Sequence, residues 1–118
     1  MAHQKNLYSP SNALWRYQVT ATLKDEQARS LYLKWLFAGH VQAVCKWALN
    51  AEVVQIDEPD QFSGKIMSIY WFKDQEDFTR YEKEGAPKLR EEGIAFATSL
   101  GGISFERQVG WAWPVKRD

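Results

Sequence analysis

The stretch Tyr70–Gly102, YWFKDQEDFTRYEKEGAPKLREEGIAFATSLGG, decides the fold. It opens on the end of an apolar run, Ile66 to Phe72, interrupted only by Ser68. A strand that is apolar on both faces belongs in the middle of a sheet covered on both sides. Asp74 and Asp77 then have the spacing of an N-cap and a supporting acid at N3, so a helix begins at once. Phe78 and Tyr81 are its inward residues. Pro87 cannot continue a helix without a break, yet it starts one well. The helix is therefore interrupted near Gly85–Pro87. It restarts with the stripe Leu89, Gly93, Phe96, Ala97 and Leu100, and it stops at Gly101-Gly102.

An earlier unit repeats this logic. Trp15, Tyr17, Val19 and Ala21 alternate with Arg16, Gln18, Thr20 and Thr22, which makes a strand with one apolar and one polar face. Asp25 caps the next helix, and Glu26 suits its positive end. Ala28, Leu31, Tyr32, Trp35 and Leu36 form a single buried stripe, with Leu33 and Phe37 off it. Gly39 ends that helix. Val41 to Lys46 reads as a short helical turn or loop, and a second strand runs roughly from Leu49 to Ile56. A polar connection, Asp57-Glu58-Pro59-Asp60 with Ser63-Gly64, leads to the third strand. The last strand, Ile103 to Trp113, alternates Ile103, Phe105, Val109, Trp111 and Trp113 with Ser104, Glu106, Gln108 and Gly110.

The order β-α-β-β-α-β is the split βαβ, or ferredoxin-like, arrangement of the α+β class. Right-handed crossovers place both helices on one face of a four-stranded antiparallel sheet in the order 4-1-3-2. The other face is bare. On the third strand it is still apolar, so a second copy of the chain is expected to cover it. Matching the apolar faces of the first and last strands sets Trp15 near Trp111 and Tyr17 near Val109. It also sets Gln18 near Gln108 and Thr20 near Glu106.

With 118 residues the chain is read as one domain, residues 14–118, behind a flexible arm, residues 1–13. Fifteen basic and fifteen acidic residues cancel, which argues against a general nucleic-acid binder. The single cysteine, Cys45, cannot form an intramolecular disulfide, and that fits a reducing compartment. The polar start MAHQKNLYSPSNA has no apolar core segment, and no run approaches the roughly 20 residues of a membrane span. A cytoplasmic protein with no membrane partner is expected. Six Trp, five Tyr and six Phe exceed what a small interior easily holds, so some rings lie at an interface or line a pocket.

Several pieces together resemble a family. They are Tyr17-Gln18-Val19-Thr20, Trp35-Leu36-Phe37-Ala38-Gly39-His40-Val41, Asp77-Phe78-Thr79-Arg80-Tyr81, Ala86-Pro87-Lys88-Leu89-Arg90-Glu91-Glu92-Gly93 and Phe105-Glu106-Arg107. They look like a family of small, uncharacterised bacterial proteins in the dimeric α/β-barrel superfamily. The resemblance covers Leu14 to Trp111. It implies a homodimer in which two sheets close an eight-stranded barrel. It also implies pockets between sheet and helices or inside the barrel. Members of the wider superfamily include cofactor-free monooxygenases, haem-degrading enzymes, muconolactone isomerases and stress-response proteins, so the likeness does not fix a reaction. The family pattern has a His just before the Ala-Pro pair, and here that position is Gly85. With Gln18 where the haem-degrading branch has Asn, and no His on the second helix, the resemblance argues against haem degradation.

The candidate site residues follow from chemistry and position. His40, beside the glycine that ends the first helix, could be a general base or simply a helix-end histidine. Arg16, Gln18, Glu106 and Gln108 form a polar floor on the sheet, which Ser68 and Tyr70 could join, with Trp71 as an aromatic wall. The alternative is a solvated barrel interior in which Arg16 and Glu106 satisfy each other. Arg107, among apolar neighbours, either extends to water or binds an anion. The run Glu82 to Glu92 reads as a solvated helix face. No metal site or bound cofactor is expected: one usable His and one Cys do not make a zinc centre. The expectation is therefore a homodimer that binds a small molecule, with His40 and Tyr70 catalytic and the remaining five as contacts. The alternative is a non-catalytic dimerisation or regulatory ligand-binding module.

Overall fold

A computed structural model describes residues 13–115. The expected arm, apart from Ala13, lies outside the described residues. The chain runs β1 (Leu14–Thr22), α1 (Glu26–Trp35), a wide turn (Leu36–His40), α2 (Val41–Val44), β2 (Asn50–Gln55), β3 (Lys65–Phe72), α3 (Gln75–Glu84), α4 (Ala86–Ser99) and β4 (Ser104–Ala112). The sheet is antiparallel in the order β2-β3-β1-β4, as the crossover argument requires.

Both N-caps form as expected. Asp25 Oδ1 accepts from the Ala28 backbone N–H at 2.8 Å, and Asp74 Oδ1 accepts from that of Asp77 at 2.8 Å. These bonds satisfy N–H groups that the first helical turn leaves unpaired. Pro87 lies in the first turn of α4, and the break falls at Gly85. Gly85 is needed there for space: a Cβ would meet the Trp47 ring at 2.6 Å. The position that holds a His in the resembled family is thus closed by an indole.

The register sets the two faces. Tyr17 opposes Tyr70 on β3 and Val109 on β4, and all three face the helices. Gln18 opposes Ile69 and Gln108, Thr20 opposes Glu106, and all five point the other way. The β1–β4 pairing is the one the alternation predicts. On the covered face, one core cluster centres on Tyr17, Tyr70, Phe72, Tyr81 and Leu89, and another on Ala21, Tyr32, Leu36 and Ile66. Phe72 and Ile66 are wholly buried, each a gain of about 1.5–3 kcal/mol.

Gly39 does not finish the first helical passage. Its φ of 141° lies where glycine alone is at ease, and the chain kinks there and resumes as α2. The Val41 N–H reaches the Leu36 carbonyl, five residues back. That widened turn brings residues five apart onto one side.

Candidate functional site

A cavity of about 40 Å³ opens between sheet and helices at the seam of the two core clusters. It holds about three waters. Its floor comes from Tyr17 and Val19 of β1, Ser68 and Tyr70 of β3, and Phe105 and Arg107 of β4. Its roof comes from Tyr32 and Trp35 of α1, His40, Tyr81 of α3, and Arg90, Gly93 and Ile94 of α4.

His40 reaches the cavity because of the wide turn. Its ring stacks on Trp35, five residues earlier, at 4.3 Å between centroids and 26° between planes. Trp35 in turn stacks on Phe96 at 5.0 Å and 6°. The imidazole is therefore clamped in a three-ring stack. Burial lowers its pKa below the ordinary 6.5, while Glu92 pulls it back up. At neutral pH it is an uncharged imidazole, able to take a proton. Its Nδ1 is buried and has no hydrogen-bond partner.

Opposite stands a cluster of phenols and guanidiniums. Arg107 Nε donates to the Tyr17 hydroxyl at 3.2 Å, and Arg90 Nη2 donates to the same oxygen at 3.4 Å. Arg90 Nη2 also pairs with Glu82 at 2.8 Å, but Arg90 Nε is buried without an acceptor. The Arg107 guanidinium lies over the Phe105 ring, 5.6 Å from its centroid. Burial pushes the Tyr70 hydroxyl well above its ordinary range, with Tyr81 and Tyr32 adding to the shift and Ser68 opposing it. Burial likewise pushes Tyr32 up to about 12, against the pull of Arg107. Both phenols stay protonated at neutral pH. Ser68 Oγ lies close enough to both to oppose these shifts, yet makes no hydrogen bond of acceptable geometry.

The expected site residues divide between the two faces. His40 and Tyr70 line the cavity. Arg16, Gln18, Glu106 and Gln108 lie on the open face with Trp71, which directly opposes Arg16. Tyr70 and Ser68 do not join that floor, because the register pairs them with Tyr17 and Val19 on the covered side. Strand parity is the reason: on β3 the even-numbered residues face the helices, whereas on β1 the odd-numbered ones do.

Arg107 is open to two readings from the sequence, and Arg90 reads as part of a solvated helix face. Arg90 is turned inward from the charged run, and Arg107 points along the covered face to Tyr17 rather than only to water. The signal for Arg90 was its spacing. Arg90, Gly93 and Ala97 stand at i, i+3 and i+7, on the flank of the buried stripe. Trp35 and Tyr17 were assigned to the core and prove to be cavity walls as well.

A dimeric ferredoxin-like protein from an uncultured marine organism superposes with a TM-score of 0.63 at 11% identity, over 85% of this chain and 95% of that one. SnoaB, a cofactor-independent oxygenase from Streptomyces nogalater, superposes at 0.60 and 13% identity, over 89% and 98%. A second dimeric ferredoxin-like protein from an uncultured marine organism gives 0.59 at 12%, over 92% and 97%. The chain has the ferredoxin-like fold. No family model matches the sequence, and a search of curated proteins gives no match. Among the described residues no helix is long and apolar enough to cross a membrane.

Proposed function

We propose that this chain forms a homodimer and that each protomer binds a small, partly apolar molecule in the cavity between sheet and helices. It acts on that molecule by proton transfer or oxygenation, without a metal or bound cofactor. One observation carries the reading. Four buried side-chain polar atoms among the described residues lack partners, and three of them, His40 Nδ1, Ser68 Oγ and Arg90 Nε, belong to cavity-lining residues. Each such group costs about 1–3 kcal/mol, so a cluster of them at one cavity points to a ligand that completes them. Aromatic walls with a few convergent polar groups are the usual make-up of such sites.

On this reading His40 is the base, held by Trp35, and the Tyr70 hydroxyl is a donor. The fold shared with a cofactor-independent oxygenase supports the reaction class. The homodimer is supported by the dimeric structural neighbours and by the half-buried Met67 and Trp71 on the open face. Arg16, Gln18, Trp71, Glu106 and Gln108 would then line the barrel between two sheets, as contacts for the partner copy or a second ligand.

Phenol, one ring with one hydroxyl, is a suitable probe. Titration followed by the NMR signals of His40 and Gly93 should give saturable shifts. Gly93→Leu fills the cavity: its Cβ has room 3.6 Å from the Trp35 ring, and the rest of the side chain occupies the void. That variant should lose the shifts. Shifts confined to Gln18 and Trp71 would place the ligand on the open face and refute the cavity reading. Binding that survives in a protein with no turnover of any phenolic substrate would favour the regulatory module.

A further inference from the structure

The geometry points to a small carboxylate as the ligand class: its anionic end would sit against Arg107 and Arg90, and its apolar end against Trp35 and Ile94. This rests on the cavity being a ligand site. Two guanidiniums converge on one hydroxyl oxygen, that of Tyr17, at 3.2 and 3.4 Å. Like charges brought together this way call for an anion. Glu82 supplies one, at 2.8 Å from Arg90. Arg107 is in no ion pair among the described residues. Arg107, an exposed residue, thus presents its guanidinium at the cavity mouth with no carboxylate partner among the described residues.

The donors left over suit a carboxylate. Arg107 spends its Nε on Tyr17 and keeps both Nη groups. Arg90 spends Nη2 on Tyr17 and Glu82 and keeps Nε, which is buried and unpartnered. A guanidinium fork matches the two oxygens of a carboxylate, and the charge strengthens each bond. Beside Arg90 the roof offers the His40–Trp35 stack and the side chain of Ile94, one helical turn along α4, which is 62% exposed and marks the mouth. A planar acid would lie with its ring towards that stack. The cavity is small at about 40 Å³, room for about three waters, so a single ring with its carboxylate enters only as the exposed Ile94 at the mouth moves aside.

Benzoate and benzamide test this, since they share shape and differ in charge. Each is titrated into the full chain and into Arg107→Gln, and the Gly93 amide and Trp35 indole signals are followed by NMR. Benzoate should bind at least tenfold more tightly than benzamide in the wild type, and Arg107→Gln should bring the ratio of the two affinities close to one. Equal affinities for the two probes would overturn the carboxylate assignment and leave the cavity reading standing. A benzoate preference that survives in Arg107→Gln would overturn it too. If neither probe moves these signals, the carboxylate assignment fails, and the phenol titration then decides separately whether the cavity binds anything.

Discussion

Trp71 and Phe72 are neighbours in the chain and opposites in the sheet. Phe72 faces the helices, wholly buried, in ring contact with Phe78 at 5.2 Å and Tyr81 at 5.6 Å. Trp71 faces outward, half-buried, across from Arg16 and Asn50. The covered face is saturated with aromatic contacts and still holds a cavity with unpartnered polar atoms. The open face alternates polar side chains around a short apolar strip. One β-strand thus serves two tasks, because successive side chains point to opposite sides. The covered face does the folding and holds the candidate chemistry. On the proposed reading, the open face is left for a partner copy.

The contrast can be broken at several points. The largest effect is expected from Phe72→Ala, which should cost about 3–5 kcal/mol in urea unfolding, since the cavity left by a fully buried ring does not collapse completely. A loss below 1 kcal/mol would mean that the covered face is not the main core. If the proposed homodimer forms through the open face, Trp71→Arg should leave the far-UV circular dichroism spectrum intact and turn the dimer into a monomer. Light scattering would then fall from about twice the 13.7 kDa chain mass to that mass itself. A central interface aromatic is worth about 2 kcal/mol or more of association free energy. A dimer that tolerates this arginine would show that the open sheet face is not the interface.

Gly85→Ala sharpens the comparison within the covered face. A Cβ there meets the Trp47 ring at 2.6 Å, and the ring must shift. A loss of about 1–3 kcal/mol is expected from overpacking, read from melts at one fixed protein concentration. A gain in stability would mean that Trp47 yields freely and that Gly85 is not required for space.

The smallest effect concerns His40 and pH. Burial holds its folded-state pKa below the unfolded value of 6.5. The unfolded chain therefore binds the proton more readily. Stability contributed by the neutral imidazole is present above about pH 6.5 and is lost as pH falls from there towards the lower folded-state pKa. His40→Gln should flatten this part of the stability–pH curve measured by chemical denaturation. A wild-type curve that instead rises on acidification through this window would show that His40 is stabilised as a cation.

The fold was legible because each local signal agreed with the others. Asp25 and Asp74 cap where their spacing places them, Pro87 parts α3 from α4, and the period of two in β1 and β4 fixes their register. The candidate site was legible only in part. His40 stood out by its place beside Gly39, and Tyr70 by its strand. Their separation from Arg16, Gln18, Glu106 and Gln108 turns on the parity of β3 relative to β1, which a strand apolar on both faces does not declare. Arg90 lay within a charged run whose composition reads as solvent-facing, and its inward turn depends on Tyr17, 73 residues away in sequence.

The sequence by itself determined the element order, the strand pairing and the existence of an uncovered sheet face, since these follow from periodicity, caps and handedness acting locally. Only the tertiary structure decided which polar groups meet. Tyr17, Arg90 and Arg107 come from β1, α4 and β4, and His40 joins their cavity because the turn at Gly39 widens and kinks. Such a meeting depends on how far one helix slides over the sheet and how a turn is wound. Those quantities are set by the packing of many side chains at once, not by any single stretch of chain.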